Sequence, residues 1–251
     1  MRASPELVRT GNPAVDLSGS GVRTDQVGTA PATSAATRTP VEPLRGRTVL
    51  NPVNPVVRIG GEQAASGSLQ LTLTWSTLPT DQRSVSAGLR RSTDLHLGCL
   101  WEMNDGHAGA VQSLGGGAEA APGYGSTVMR LGGRAEAEGQ TLTVSLRQVS
   151  ALKRFLVYAY AYSGQPEWQA LTPILTATLR GGVSLEVRLD SQPDPPDAGI
   201  CAIASVHRVG GVLVLRREAE MLPGQQQDVA LAYGWDLPWA SGRTLPPLPV
   251  R

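Results

Sequence analysis

The stretch LTATLRGGVSLEVRL, residues 175–189, decides the fold class. On either side of its Gly-Gly pair, apolar and polar side chains alternate, which is the pattern of a strand with one buried face. A glycine pair between two such strands predicts a hairpin. The same arrangement recurs in IASVHRVGGVLVLRRE, residues 203–218. Two antiparallel hairpins are therefore expected.

Further segments with this alternation are LQLTLTW (69–75), LHLGCLW (95–101) and TLTVSLR (141–147). FLVYAYAY (155–162) and GICAIASV (199–206) are almost wholly apolar, as in strands buried on both faces. Glycine-rich turns separate the segments, and no helical period is sustained. The sequence predicts an all-β fold, a β-sandwich of two mainly antiparallel sheets. Residues 225–232 are compatible with a short helix or a turn.

Composition divides the chain into three regions. Residues 1–55 are rich in Pro, Ser, Thr, Ala and Gly, so they bury too little apolar surface to offset the entropy of ordering. We expect a disordered N-terminal arm there, with 49–61 as an alternative start of the ordered part. The sandwich is expected over 56–243, followed by a Pro-rich tail over 244–251.

Charge and composition exclude several classes of protein. The chain has 22 basic and 21 acidic residues and a net charge of +1, so it offers no basic surface for nucleic acid or anionic membranes. No apolar run approaches membrane-spanning length, and the N-terminus lacks the apolar core of a signal peptide. We expect a soluble, cytoplasmic protein with no nucleic-acid binding and no direct membrane insertion.

The two cysteines, Cys99 and Cys201, lie in apolar strand segments without the close spacing of a metal site. Buried, reduced thiols are expected, and a disulfide between adjacent strands is the alternative. Cys201 and His207 share one strand and, by parity, one face, but six residues separate them by roughly 20 Å. No other arrangement indicates an activated nucleophile. We therefore expect no enzymatic activity.

The stretch DLHLGCLWEMNDG, residues 94–106, raises the question of a metal site. Alternation places the apolar side chains from Leu95 to Trp101 on one face and Asp94, His96 and Gly98 on the other. The Asn-Asp-Gly that follows is sufficiently explained as a tight turn. The three histidines lack the paired spacing of a zinc site. We favour a strand and its hairpin over a working metal site.

Several phrases of the chain occur together and in a recognisable order. They are DLHLGCLWEMNDGHAGAVQSLGG (94–116), LKRFLVYAYAYSGQPEW (152–168), VSLEVRLD (183–190), CAIASV (201–206), RREAE (216–220) and QDVALAYGWDLPWASGR (227–243). In combination they resemble the tellurium-resistance (Ter) proteins of bacteria, and within these the TerA-like branch of the TerD-domain superfamily. The resemblance covers roughly residues 65 to 243.

The resemblance implies a TerD-like β-sandwich stress protein, often calcium-binding, that acts without catalysis in bacterial resistance to tellurite and other chemical stress. It also implies partners, namely other Ter-family proteins and a membrane-embedded Ter protein. We therefore expect a non-enzymatic stress-response protein that acts as an interaction module.

The resemblance further implies where calcium binds, and the sequence departs from the family there. Calcium requires six to eight oxygen ligands, usually including several carboxylates. The family supplies them from an Asp-x-Asp strand start and an acidic loop. Here the strand reads Asp94-Leu-His, and the loop carries Gly132-Gly133 where the family has an Asp pair. Asp94, Glu136 and Glu138 remain as ligands of a weak calcium site, and no other cofactor is expected.

The aromatic residues leave one alternative function open. They are Trp168, Trp235 and Trp239, with Tyr160, Tyr162 and Tyr233. Most are expected in the core or in a lid, with the polar tip at the surface. If two or three tryptophans line an exposed groove, they form a carbohydrate- or peptide-binding platform. A β-sandwich binding module that uses exposed tryptophans is therefore the alternative.

Overall fold

The computed structural model describes residues 42–60, 63–64, 67–76, 95–113, 117–121, 127–135, 139–162, 165–189 and 197–239. Within these ranges, thirteen strands form two sheets. A 3-10 helix covers Leu146–Gln148, the described residues 63–64 are helical, and two further α-helices are α1 (Trp168–Leu171) and α2 (Gln226–Ala232).

One sheet has seven strands. In spatial order they are β1 (Arg47–Leu50), β11 (Ser184–Arg188), β10 (Ile174–Thr178), β3 (Ser68–Thr74), β8 (Gly139–Ser145), β7 (Met129–Ala135) and β6 (Glu119–Ala120). The pairing of β1 with β11 is parallel. The other neighbouring strands of this sheet pair antiparallel.

The other sheet has six strands, and all neighbours pair antiparallel. In spatial order they are β2 (Val56–Ile59), β13 (Val212–Leu222), β12 (Ile200–Val209), β9 (Leu152–Ala161), β4 (Leu95–Met103) and β5 (Ala108–Gln112). The all-β sandwich of two mainly antiparallel sheets is thus confirmed.

The main core lies between the two sheets. Leu69, Leu71 and Leu73 of β3 belong to the same buried cluster as Leu97 and Cys99 of β4. These are the alternate residues that the sequence pattern assigns to the dry face. Removing this apolar surface from water is the main stabilising contribution that the sandwich provides.

Both glycine hairpins are confirmed. Gly181 and Gly182 connect β10 to β11 with φ of 91° and 79°, and Gly210 and Gly211 connect β12 to β13 with φ of 57° and 86°. Val209 pairs with Val212, so Gly210 and Gly211 form a two-residue turn that matches the twist of its strands. The N–H of Leu179 donates to the carbonyl of Val183 at 2.9 Å, so the β10–β11 loop has three residues, 180–182. Glycine adopts positive φ without steric cost in both. The Asn-Asp-Gly segment also forms the expected turn between β4 and β5, since the N–H of Gly106 donates to the carbonyl of Met103 at 3.1 Å.

Strand β4 differs from the prediction, because the side chains on its predicted polar face are also buried. All residues from Leu95 to Trp101 are buried, including His96 and Gly98 on the face predicted to be polar. A Cβ atom at Gly98 would overlap the ring of Tyr158 on the neighbouring strand. The absence of a side chain at this position therefore lets the tyrosine lie flat over β4.

The prediction that Cys201 and His207 share a face is wrong. The pairing of β12 shifts register between Ala202 and Ala204, which marks a β-bulge. A bulge inserts one residue and reverses the alternation beyond it. Cys201 consequently lies in the core between the sheets, whereas His207 is exposed.

The ordered structure begins before residue 56, the predicted start of the sandwich. Strand β1, Arg47–Leu50, falls in the range predicted as a disordered arm, where it forms the edge of the seven-stranded sheet. The rest of that prediction, for residues before 42, lies outside the described residues, as does the Pro-rich tail.

Candidate functional site

One end of the sandwich gathers the longer connections between strands. Strands β3 and β9 end there, and β4 and β8 begin there, as the pairs Leu95 with Ala161 and Leu73 with Gln140 show. We call this end the loop rim. The opposite end carries the two Gly-Gly turns and the Asn-Asp-Gly turn. Because binding residues of a rigid sandwich usually lie on its loops, the loop rim is the candidate functional end.

The three predicted calcium ligands, Asp94, Glu136 and Glu138, lie outside the described residues. Their described neighbours are at the loop rim, because Leu95 starts β4, and Ala135 and Gly139 flank the β7–β8 connection. Within the described ranges, no group of three or more His, Cys, Asp or Glu residues could hold a metal ion. The calcium site remains a prediction.

The side chain of Gln140 joins the two sheets beneath the loop rim. Its Oε1 accepts the backbone N–H of Leu97 at 2.7 Å, and its Nε2 donates to Ser113 Oγ at 2.7 Å and to the carbonyl of Gly132 at 3.4 Å. Gln140 is buried, so these bonds satisfy polar groups that would otherwise be costly to desolvate. The amide thereby fixes the start of β4 relative to β7 and β8.

Aromatic rings cover the outer face of the six-stranded sheet near the loop rim. The ring of His96 stacks on Tyr160 with centroids 5.5 Å apart, and Tyr160 lies 5.8 Å from Tyr158. The Tyr158 hydroxyl donates to Gln112 Oε1 at 2.9 Å. Burial raises the pKa of Tyr158 well above its usual value, so the phenol keeps its proton and remains a donor.

Residues 226–239, which we call the C-terminal cap, cover a neighbouring part of this face. The cap consists of α2 and the segment that follows it. Val229, Ala230 and Trp235 of the cap form one buried cluster with Leu156 and Ile200 of the sheet. The C-terminal cap therefore turns the six-stranded sheet into the middle layer of the fold, with apolar contacts on both faces.

Arg154 of β9 attaches the C-terminal cap to the sheet. Its guanidinium donates to the carbonyls of Tyr233 at 3.0 Å and Gly234 at 2.9 Å. The Arg154 Cζ atom also lies 3.7 Å from the centroid of the Trp235 ring, within the range of a cation–π contact. One side chain thus binds three consecutive residues of the cap.

Glu102 of β4 orients this arginine, because its Oε2 accepts from Arg154 Nε at 2.5 Å. Burial alone acts to raise the pKa of Glu102, but the hydrogen bonds from Lys153 and Arg154 outweigh it and hold that pKa below its usual value. The carboxylate is therefore ionised at neutral pH. Its pairing with Arg154 contributes stability above pH 4.5, the usual pKa, and loses it as the pH falls through the lower folded value.

The platform of exposed tryptophans is not found among the described residues. Trp168 is 0% and Trp235 is 4% exposed, and Trp239 is half-buried against the cap cluster. Trp168 Nε1 donates to the carbonyl of Ala198 at 2.8 Å. These tryptophans pack in the core or under the cap, as predicted for most of the aromatic residues. No specific observation therefore supports the alternative of a carbohydrate- or peptide-binding module.

Both cysteines are free and fully buried, as the sequence predicts. Burial raises the pKa of Cys99 and of Cys201 far above the usual thiol range. Only the thiolate is nucleophilic, so neither side chain is prepared for covalent or redox chemistry in the folded protein.

The described geometry defines a class of protein: an all-β sandwich whose six-stranded sheet is buried on both faces over β4, β9 and the start of β12, with its longer connections at one rim. Within the described ranges, no helix has the length and apolar composition needed to span a bilayer. No family model matches the chain. No solved structure matches it either.

Comparison with known protein sequences finds a relative of this chain. The chain is 28% identical over 193 residues to the tellurium resistance protein TerA of Alcaligenes sp, an alignment that covers 72% of this chain and 54% of the relative. The chain thus spans about half the length of the curated relative that it matches. This similarity supports a relationship to tellurium-resistance proteins.

We predict that Arg154→Ala loosens the C-terminal cap. The change removes donors from two carbonyls of the cap and from Glu102, as well as the contact with the Trp235 ring, so we expect a loss of about 1–3 kcal/mol in the free energy of unfolding, measured by urea denaturation. Arg130→Ala is the matched control, because Arg130 pairs with Glu119 at 2.8 Å on an exposed surface. That variant should lose less than about 0.5 kcal/mol. Equal effects of the two changes would contradict the role of Arg154.

Proposed function

We propose that this chain is a non-enzymatic stress-response protein of the tellurium-resistance type, a TerA-like TerD-domain sandwich that acts in the cytoplasm as an interaction module. The similarity to TerA over 193 residues carries this proposal. The family resemblance implies a β-sandwich, and the chain forms one over most of the sequence phrases that carry the resemblance. This agreement supports the proposal. In this proposal the partners are other Ter-family proteins and a membrane-embedded Ter protein.

The chemistry of the described side chains supports an interaction role rather than catalysis. Cys201 and His207 lie on opposite faces of the sheet, and both thiols are buried in protonated form. The Ser205 hydroxyl contacts the Glu218 carboxylate at 2.6 Å, without an oriented histidine in that contact. A relay of nucleophile, base and orienting group is therefore not assembled from these residues.

We further propose a weak calcium site at the loop rim, with Asp94, Glu136 and Glu138 as its carboxylates. The described residues next to all three belong to strand ends at that rim, which supports their proximity. Three carboxylates from two segments supply fewer anionic oxygens than a high-affinity calcium site contains. We therefore expect affinity on the order of millimolar, as in calcium sites of low ligand charge.

A pull-down tests the functional proposal. The full chain, carrying an affinity tag, is expressed in its native host, and bound proteins are identified from cells grown with and without tellurite. We expect Ter-family proteins to be enriched from the tellurite-treated cells relative to an unrelated bait. Recovery of the folded chain without any Ter-family protein would count against the proposal.

Calcium titration tests the proposed metal site. If the dissociation constant is about 1 mM, 10 mM calcium should stabilise the protein by about 1.4 kcal/mol in thermal or urea unfolding. Asp94→Asn should abolish this increase. Asp105→Asn is the control, because Asp105 lies in the turn at the opposite end and accepts the N–H of His107 at 3.1 Å. Strong stabilisation at micromolar calcium would show that the ligand count is wrong.

A further inference from the structure

A row of side chains on the outer face of the six-stranded sheet connects the C-terminal cap to a histidine. Arg154 of β9 pairs in register with Glu102 of β4 on one side and with His207 of β12 on the other. The three side chains share the outer face, since Arg154 bonds to both Glu102 and the cap, and Val206, next to His207, lies in the core between the sheets. Directly opposed residues of neighbouring strands have Cβ atoms about 4.5–5.5 Å apart. His207 is therefore an immediate neighbour of the arginine that holds the cap.

The charged groups that share this face with the histidine come from the neighbouring strands and the cap. Glu102 pairs with both Lys153 and Arg154, whose Nζ and Nε atoms each lie 2.5 Å from a carboxylate oxygen. On β13, Arg216 Nε lies 3.6 Å from Glu218 Oε2. The other titratable groups on this face are Arg58 of β2, Glu220 of β13 and Tyr233 of the cap, whose hydroxyl contacts the Glu220 carboxylate at 2.6 Å. Because Glu102 and Glu218 already pair with cations, they compensate little for a further positive charge.

These surroundings disfavour the protonated form of the imidazole. They lower the pKa of His207 from its usual value of 6.5, with partial desolvation as the largest cause and the charge of Arg154 as the next. The charge of Arg216 acts in the same direction, whereas Glu218 and Glu102 act in the opposite direction and are outweighed. The imidazole is therefore neutral in the folded protein at about pH 7.5. A proton added to it would place a second cation beside the guanidinium.

We propose that His207 is a pH sensor for the C-terminal cap, and that its protonation displaces Arg154 and opens the cap as the pH falls from about 7.5 to about 5.5. In the closed state, the carbonyls of Tyr233 and Gly234 and the ring of Trp235 hold the guanidinium on the face that it shares with the histidine. When the cap opens, the guanidinium is free to extend into water, away from the imidazolium. The open state therefore binds the proton more tightly than the closed state does.

The direction of the pH dependence follows from the lowered pKa of His207. In the open state this pKa returns toward 6.5, so the open state takes up its proton at a higher pH than the closed state does. The contribution of the neutral histidine to closure is therefore complete above pH 6.5 and is lost as the pH falls through the lower closed-state pKa. Glu102, whose pKa lies below its usual 4.5, stays ionised over this range, so its own titration does not contribute.

Opening of the cap uncovers apolar surface on the sheet. Val229, Ala230 and Trp235 of the cap share a buried cluster with Leu156 and Ile200, so these side chains meet water when the cap leaves. Newly exposed apolar surface on a folded protein binds the dye ANS. Exposure of this cluster is therefore the measurable output of the switch. The inference is independent of a role in tellurium resistance.

Amide hydrogen exchange of the full chain at about pH 7.5 and about pH 5.5, corrected for the intrinsic exchange rate at each pH, tests the switch. In wild type, the opening constant of amides 226–239 should be at least about threefold larger at the lower pH. His207→Gln cannot take up a proton and should lose this rise. His207→Lys carries a permanent charge and should show the larger constant already at the higher pH. His107→Gln is the matched control and should keep the wild-type response, because His107 lies beside Asp105 in the β4–β5 turn.

Two further measurements accompany the exchange experiment. ANS fluorescence of wild type should rise at the lower pH while the far-UV circular dichroism spectrum stays unchanged, because the cap opens and the sandwich remains folded. NMR titration of the His207 imidazole, assigned by its absence in His207→Gln, should give a pKa below 6.5. Equal opening constants of wild type at the two pH values, a rise that persists in His207→Gln, or a closed cap in His207→Lys would each overturn the proposal. So would a His207 pKa of 6.5 or above, or loss of the β-sheet spectrum together with cap opening.

Discussion

The contact between Arg154 and the C-terminal cap holds the outer layer of the fold in place. A β-sandwich ordinarily buries one face of each sheet and leaves the other to water. Here the outer face of the six-stranded sheet carries Leu156, Tyr158 and Tyr160, all buried. Such a face would be an exposed apolar patch without the cap, and patches of that kind promote association. The guanidinium converts the C-terminal segment into a third layer by binding its carbonyls and its tryptophan.

This layering determines where function can reside. The six-stranded sheet is covered on both faces over β4, β9 and the start of β12, and the thiols and most aromatic rings lie in the two cores. Within the described part of the chain, the loop rim lies outside these two cores. A rigid scaffold that presents loops at one end suits recognition.

The sequence was sufficient to predict the sandwich because its signals are local. Alternation placed Leu69, Leu71 and Leu73 on the inner face, and glycine pairs located both hairpins, since positive φ is a property of a few residues. The buried thiols followed from the apolar segments around them. These features depend only on neighbours along the chain, and the structure reproduces them.

The features that sequence reasoning missed depend on distant contacts. Alternation shows which side chains of β4 are apolar, but not that a segment more than a hundred residues later covers its other face. The apolar segment 155–162 was the available signal for a second buried face, because a strand with apolar side chains on both faces must pack against other residues on both faces. No local signal marks Arg154, just before that run, as the residue that binds the cap. The bulge in β12 has no glycine or proline to mark it, and β1 lies in a Pro-rich region whose composition indicated disorder.

Hydrogen exchange of the intact chain, followed by mass spectrometry, tests the capped sheet most directly. If the C-terminal cap is an integral layer, amides of 226–239 and of β4 and β9 should be protected together and exchange with similar opening free energies. Exchange of 226–239 at the rate of an unstructured peptide, while β4 and β9 stay protected, would show that the sheet does not depend on its cap.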